Sequence, residues 1–389
     1  MRRIFACLLT LALIFGALTL FATARVTDNG NSDVTYSPPQ IAMPSVSAEC
    51  AALLDAGSRA TLSEKNADKR MAPASTTKIM TALVALENSD IEDVVDVSPD
   101  AVGVEGSSIY LFAGERITMI DLLYAMMLES ANDAAAAIAI EVGGSIEGFS
   151  EMMNEKASEM GLCDTHFTNP HGLYDEEHYT TARELGAIAA EALDNEVFRR
   201  IVSSKKHTLI PIEGNTRMLY NHNKMLSLYE DAIGVKTGFT KKSGRTLVSA
   251  AERDGLTLVA VTLNAPDDWN DHAKMLDAGF ENYERFYVSP SGFSTPQQIV
   301  GGKDSYAILI NSEPISLTIP RGMRKDLTLV AEPYARFAFA PKDKGDTAGN
   351  ATLYLDGERL ATAELVYASD VERKNEKRGF LAWFKNLFG

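Results

Sequence analysis

The chain has 389 residues, 46% hydrophobic and 23% charged, enough to bury sizeable cores and to divide into two or three domains. Its 37 Lys and Arg stand against 53 Asp and Glu, and a net charge of −16 excludes a nucleic-acid partner unless a local basic patch overrides it. Three cysteines without CxxC or Cys/His spacing exclude a disulfide-rich scaffold and give no zinc pattern, and no pair of histidines has a metal-ligand spacing.

Arg2 and Arg3 precede an apolar run from Ile4 to Phe21 and then Ala22-Thr23-Ala24. Positive flank, apolar stretch and small-x-small residues read as a secretory signal over 1–24, cleaved after Ala24; the alternative is an uncleaved anchor, because the run is just long enough to span a bilayer. Either way the body works outside the cytoplasmic membrane. Residues 25–45 are polar, contain Pro38-Pro39 and lack any period, which is the pattern of a linker.

The next region, 46–287, mixes the two periods. Cys50 to Asp55 and Arg59 to Ser63 flank Gly57-Ser58 as a hairpin. Pro73 precedes a stretch from Ser75 to Glu87 in which Ile79, Met80, Leu83, Val84 and Leu86 have helical spacing, with Ser75 as an N-cap residue type. Helical spacing returns over Ile120 to Leu128 and Asn132 to Val142, interrupted at Ser130-Ala131-Asn132. Ala232 to Thr240, Thr246 to Ala251 and Leu256 to Leu263 then form an antiparallel meander, and Asn270 to Phe286 a closing helix. The fold class is therefore α+β, an antiparallel sheet with helices.

From Val288 the chain breaks into short alternating stretches separated by Asn-Ser, Pro-Arg-Gly and Asp-Gly turns, a small all-β domain over 288–369. In the tail, 370–389, Phe380, Leu381, Trp383, Phe384, Leu387 and Phe388 share one helical face beside Arg373, Lys374, Lys377, Arg378 and Lys385. A basic, aromatic-rich amphipathic stretch is the pattern of an interfacial membrane anchor; a helix docked on the β domain is the alternative.

Three short motifs carry chemistry: Ser75-Thr76-Thr77-Lys78, Ser130-Ala131-Asn132 and Lys236-Thr237-Gly238. Each is weak alone, and their joint order is informative. A serine hydroxyl needs a base within hydrogen-bond reach, and Lys78, three residues on, lies on the same helical face as Ser75. A lysine acts as base only if burial or a second cation lowers its pKa, and Lys236 is placed to be that cation if its strand runs beside the helix. Ser130 can relay a proton to a leaving amine, and the Asn132 amide can hold a substrate backbone. Lys236 with Thr237 can bind a terminal carboxylate, and Gly238 lets a peptide lie close to the strand. His171, in Asn169-Pro170-His171-Gly172-Leu173, invites a Ser/His reading, but Lys78 already fills the base position, which leaves loop packing or substrate contact. Cys50 and Cys163 read as buried thiols, with a bridge as the alternative.

This motif set resembles the penicillin-recognising serine enzymes. Ala72-Pro73-Ala74, LLYAMMLESANDAA at 122–135, THFTNPHGLYDEEHYTTARELG at 165–186 and GVKTGFT at 234–240 narrow the resemblance to the D-alanyl-D-alanine carboxypeptidases among the low-molecular-weight penicillin-binding proteins, the Gram-positive kind. The resemblance spans about residues 45 to 370 and implies a β-lactamase/transpeptidase-like catalytic domain followed by a β domain. It also implies removal of D-alanine from peptidoglycan pentapeptides through an acyl-enzyme, trapping by β-lactams, and no metal or organic cofactor. It gives the backbone N–H groups of Ser75 and Phe239 as an oxyanion hole. Two departures stand out: SAN in place of the usual SGN, and Phe239 where His or Tyr is frequent after KTG. The rival readings are a D,D-endopeptidase with the same machinery, a catalytically silent wall-binding or β-lactam-binding module, and a class A-like β-lactamase. The last needs a deacylating glutamate, and Glu176 and Glu177 lack an Asn four residues on.

Overall fold

The computed structural model describes residues 36–212 and 214–374. The segment read as a secretory signal, the first part of the linker and the aromatic part of the tail lie outside the described residues.

In chain order the first elements are β1 (Cys50–Asp55), β2 (Thr61–Lys65), a 3₁₀ turn (Ala74–Thr77) and α1 (Lys78–Asn88). A short pair, β3 (Val94–Asp96) and β4 (Arg116–Thr118), leads into α2 (Met119–Leu128), α3 (Asn132–Gly143), α4 (Ile146–Glu159), α5 (Ala182–Leu193) and α6 (Glu196–Ser203). A second short pair, β5 (Lys206–Leu209) and β6 (Arg217–Tyr220), and the single turn α7 (Met225–Leu228) precede β7 (Ala232–Thr240), β8 (Gly244–Arg253), β9 (Leu256–Leu263) and α8 (Asp268–Asn282).

The expected meander is the heart of a five-stranded antiparallel sheet ordered β2-β1-β9-β8-β7. Its strands are apolar at successive positions because both faces are covered. Cys50, Ala52, Leu54, Val248, Ala250, Val259 and Val261 point into one core shared with α1 to α6, while Ala51, Leu53, Leu247, Leu258 and Ala260 point into a second core under α8. The strand period of two thus splits one run of residues between two cores. Cys50 is buried in the first core, and Cys163 is exposed; neither forms a disulfide. The expectation of two buried thiols therefore holds for Cys50 alone.

The closing helix is shorter than its apolar pattern suggests. Asn282 turns its side chain back to donate to the Ala278 carbonyl, and the chain leaves the helix as β10 (Tyr283–Val288). Tyr283 to Val288 is rich in aromatic residues suited to a pleated surface, and it pairs antiparallel with β13 (Ile315–Pro320). The remaining strands, β11 (Ser294–Val300), β12 (Tyr306–Asn311), β14 (Leu327–Pro333), β15 (Phe337–Phe339), β16 (Thr347–Leu355) and β17 (Glu358–Tyr367), form a sheet ordered β14-β16-β17-β12-β11-β15 over its own core. The β16–β17 hairpin turns at Asp356-Gly357, both at positive φ, the conformation that an Asp-Gly pair favours.

His272 of α8 is fully buried against β9, bonded through Nε2 to Thr262 at 2.9 Å, with Nδ1 unpartnered, and burial pushes it down to about 3. An unfolded histidine binds a proton below about pH 6.5 that folded His272 refuses, so this residue lowers stability as the pH falls from 6.5 towards 3, by about 1.4 kcal/mol per pH unit. His272→Phe should flatten the pH dependence of urea unfolding between pH 6 and 4 by about one proton; an unchanged slope would show that the imidazole titrates normally.

Candidate active site

The nucleophile motif lies in a tight turn rather than in a helix. Ala74 sits at φ +51°, an uncommon conformation for a residue with a side chain, and Ser75 follows within the 3₁₀ turn. The turn is stitched down at Pro73, whose carbonyl accepts from Thr76 Oγ1 at 2.6 Å and Thr246 Oγ1 at 3.0 Å. Helix α1 starts only at Lys78, and no side chain caps it. The reading of Ser75 as an N-cap is therefore corrected: its hydroxyl faces Lys78, not the first helical amides. A 3₁₀ turn has three residues per turn, so positions 75 and 78 eclipse, which places Lys78 Nζ 3.3 Å from Ser75 Oγ.

Lys78 is fully buried. Its other two partners are Asn132 Oδ1 and the His171 carbonyl, both at 2.7 Å. All three partners are uncharged. A neutral amine has two N–H donors and one lone pair. When the amine is neutral, the two short bonds account for its donors, and its lone pair can take the Ser75 hydroxyl proton. Burial holds the Lys78 pKa well below the usual lysine range, the charge of Lys236 lowers it further, and Asp133 opposes them. Lys236, buried on β7, donates to the Thr237 carbonyl at 3.0 Å, and burial brings it down to about 7.

Ser130 and Asn132 come from the α2–α3 junction. Ser130 carries the positive φ of the loop, +60°, whereas Ala131 has φ −61°, so alanine stands in the middle of the SAN motif without backbone strain. Asn132 Nδ2 donates to the Glu105 carbonyl, and its backbone N–H donates to Ser107. The next residue, Asp133, is a buried carboxylate that accepts from Ser108 Oγ at 2.6 Å and from the Leu111 N–H at 3.0 Å. The loop over 105–111 is thereby bound to the α3 N-terminus.

His171 contributes its backbone. Its ring, pushed down to about 3 mainly by burial and then by Lys78 and His178, accepts from the Leu173 N–H, and its carbonyl takes the Lys78 bond. Asn169 Oδ1 accepts from the N–H groups of His171 and Gly172, and Thr81 donates to Pro170 at 2.6 Å. Gly172 has φ +84°, and a Cβ there would lie 1.9 Å from the Ala74 carbonyl, so only glycine fits this approach. His178 Nδ1 accepts from Thr168 N–H, which makes Nε2 the donor to Thr77 Oγ1 at 2.8 Å; burial lowers His178 to about 4. Glu176 and Glu177, the candidates for a deacylating glutamate, are both exposed.

The Lys-Thr-Gly strand is the edge of the sheet, bonded to β8 on one side only. A Cβ on Gly238 would lie 2.9 Å from Ser75 N and 2.4 Å from Thr246 Oγ1, which shows how closely β7 passes the nucleophile turn. Phe239 projects its ring to solvent, 64% exposed. The site thus unites a serine within reach of a lysine amine, a second buried lysine and an open strand edge.

The family model of D-alanyl-D-alanine carboxypeptidase, peptidase S11, matches residues 35–267, and that of the penicillin-binding protein 5 C-terminal domain matches residues 288–373. The chain belongs to the S11 D-alanyl-D-alanine carboxypeptidase family. It is 32% identical to the D-alanyl-D-alanine carboxypeptidase DacF of Bacillus subtilis, over 88% of this chain and 89% of that protein. It is 33% identical to DacC of Escherichia coli, over 85% of each chain. Penicillin-binding protein 5 of Haemophilus influenzae superposes with a TM-score of 0.67 at 29% identity, covering 85% of this chain and 99% of that one.

For this carboxypeptidase the Lys78–Lys236 coupling has a measurable sign. Lys236→Gln removes a cation that holds Lys78 low, so Lys78 should titrate higher and be less deprotonated at a given pH. The acid limb of serine acylation by a fluorescent penicillin should move up by about one pH unit. A lower plateau with an unmoved limb would assign Lys236 to substrate alone.

Proposed function

We propose that Ser75 is the nucleophile and Lys78 the general base of a carboxypeptidase that removes the terminal D-alanine from peptidoglycan pentapeptide stems. The observation that carries this is the buried Lys78 amine, 3.3 Å from Ser75 Oγ and bonded at 2.7 Å to two neutral oxygens, beside the open edge of β7. A peptide ending in D-Ala-D-Ala lies extended along that edge, its carboxylate on Lys236 and Thr237 and its backbone near Asn132. The scissile carbonyl enters between the N–H groups of Ser75 and Phe239. Lys78 takes the hydroxyl proton as Ser75 Oγ attacks and returns it through the Ser130 hydroxyl to the departing amine, so that D-alanine leaves and Lys78 is a neutral base again. Water then attacks the acyl ester, Lys78 accepting its proton and passing it to Ser75 Oγ as the carbonyl carbon–Oγ bond breaks, which regenerates both groups. A β-lactam follows the first half of this course and stays on Ser75 because deacylation is slow.

We further propose that the enzyme works on the outer face of the cytoplasmic membrane, with residues 370–389 as an interfacial anchor and the β domain as a spacer. The support is the Arg/Lys-flanked aromatic face of that tail.

Incubation with a diacyl-L-Lys-D-Ala-D-Ala peptide should release D-alanine, and Ser75→Ala should reduce the rate by about three orders of magnitude or more. Equal release by both proteins would sink the assignment. Removing residues 374–389 should shift the protein from the membrane pellet to the soluble fraction with unchanged turnover of the soluble peptide; continued pelleting after signal cleavage would refute the anchor.

A further inference from the structure

At the end of β8 remote from Ser75, the β8–β9 turn, the α8–β10 corner and the turn after β13 line an open cleft of about 160 Å³. Arg253, Arg285, Arg321 and Arg324 line it, in a chain whose net charge is −16. Arg253 is paired with Asp231 at 2.8 Å. The other three guanidiniums have no carboxylate at ion-pair distance among the described residues. Arg285 donates to Ser316 Oγ and the Gly255 carbonyl, Arg321 to the Phe280 carbonyl at 2.7 Å, and Arg324 to the Arg285 carbonyl at 3.0 Å. Each guanidinium has five N–H groups, so most of these donors remain free.

Their orientation is also held. Arg253 stacks over Phe280 and Arg285 over Tyr287, both at 4.5 Å, and Arg324 lies over Phe286 at 5.4 Å. Two acidic side chains, Asp254 and Glu284, share the cleft, and Glu284 is already bonded to the Gly322 N–H. The cleft therefore keeps a positive excess.

We propose that this cleft binds a phosphate group, as a phosphomonoester or phosphodiester. Several forked donors converging on one space exceed what the two oxygens of a carboxylate can accept, whereas a tetrahedral phosphate presents more oxygens in several directions. The site is separate from the chemistry. From Thr246, which bonds to the nucleophile turn, to Arg253 there are seven residues of extended strand, roughly 24 Å at ~3.4 Å each.

The test uses the full chain and three probes in low-salt buffer: inorganic phosphate and glycerophosphoglycerol by calorimetry, and phosphatidylglycerol vesicles by flotation. Arg321→Gln/Arg324→Gln should weaken binding about tenfold or more, Asp254→Asn should tighten it, and D-alanine release should stay unchanged in both. Loss with the soluble probes identifies a free or polymer-borne phosphate as the ligand. Loss confined to vesicles identifies a lipid headgroup. Binding that is absent in every arm, or equal in parent and double variant, overturns the proposal. The opposite shift expected of Asp254→Asn separates charge recognition from a loosened domain junction.

Discussion

A lysine buried without a carboxylate partner is the constraint on which the site depends. Moving an ammonium out of water costs several kcal/mol unless a counter-ion or a full set of acceptors compensates. Lys78 contacts uncharged partners only, one hydroxyl, one amide oxygen and one backbone carbonyl. A contacting carboxylate would have stabilised the cation and removed the base. The surroundings instead favour the amine, and the nearby histidines are kept neutral for the same reason. His171 and His178 are both pushed well below their usual range by burial, so neither adds a competing proton equilibrium near pH 7.

The acceptors have to be held in place, and unusual backbone conformations do much of that work. Ala74 and Ser130 both occupy positive φ, one next to the nucleophile and one beside the amide that holds Lys78. Such conformations cost of order 1–3 kcal/mol each and persist only where neighbours over-determine them. Here the neighbours are identifiable. Thr246 and Thr76 hold Pro73, Gly172 packs on the Ala74 carbonyl, and Asp133 binds the 105–111 loop across α3. The binding residues therefore rest on a frame whose own hydrogen bonds point away from the chemistry.

What could be read in advance follows the locality of each signal. The Ser75–Lys78 spacing was legible because three residues map onto one turn, whether 3₁₀ or α, and the meander because its runs of apolar residues are delimited by Gly and Asp. The cap assigned to Ser75 was wrong because residue type cannot reveal that Ala74 enters the turn at positive φ. The His171 carbonyl was missed for a related reason: a backbone acceptor is the same atom in every residue, and only the Asn169-Pro170-His171-Gly172 loop marked its place. Asp133 could have been found, since a carboxylate in the first turn of an alanine-rich helix needs a partner. The end of α8 was misplaced because Tyr283 to Phe286 fits a helical spacing almost as well as an alternating one, and pairing with a strand about thirty residues away decides it.

The open edge of β7 closes the argument about recognition. Unpaired strand edges invite unwanted pairing, and proteins usually blunt them. Here the edge carries a buried lysine, a glycine at van der Waals limit from the nucleophile turn, and an aromatic ring turned outward. A ligand that adds to this edge is read first through its backbone and its terminal carboxylate, and its side chains alternate away from the strand. The contact between Gly238 and the turn at Ser75, where no Cβ is tolerated, fixes how far that edge lies from the Ser75 hydroxyl. In the proposed reaction, the same close approach that forbids a side chain at position 238 sets the scissile carbonyl of a ligand on that edge within reach of the hydroxyl.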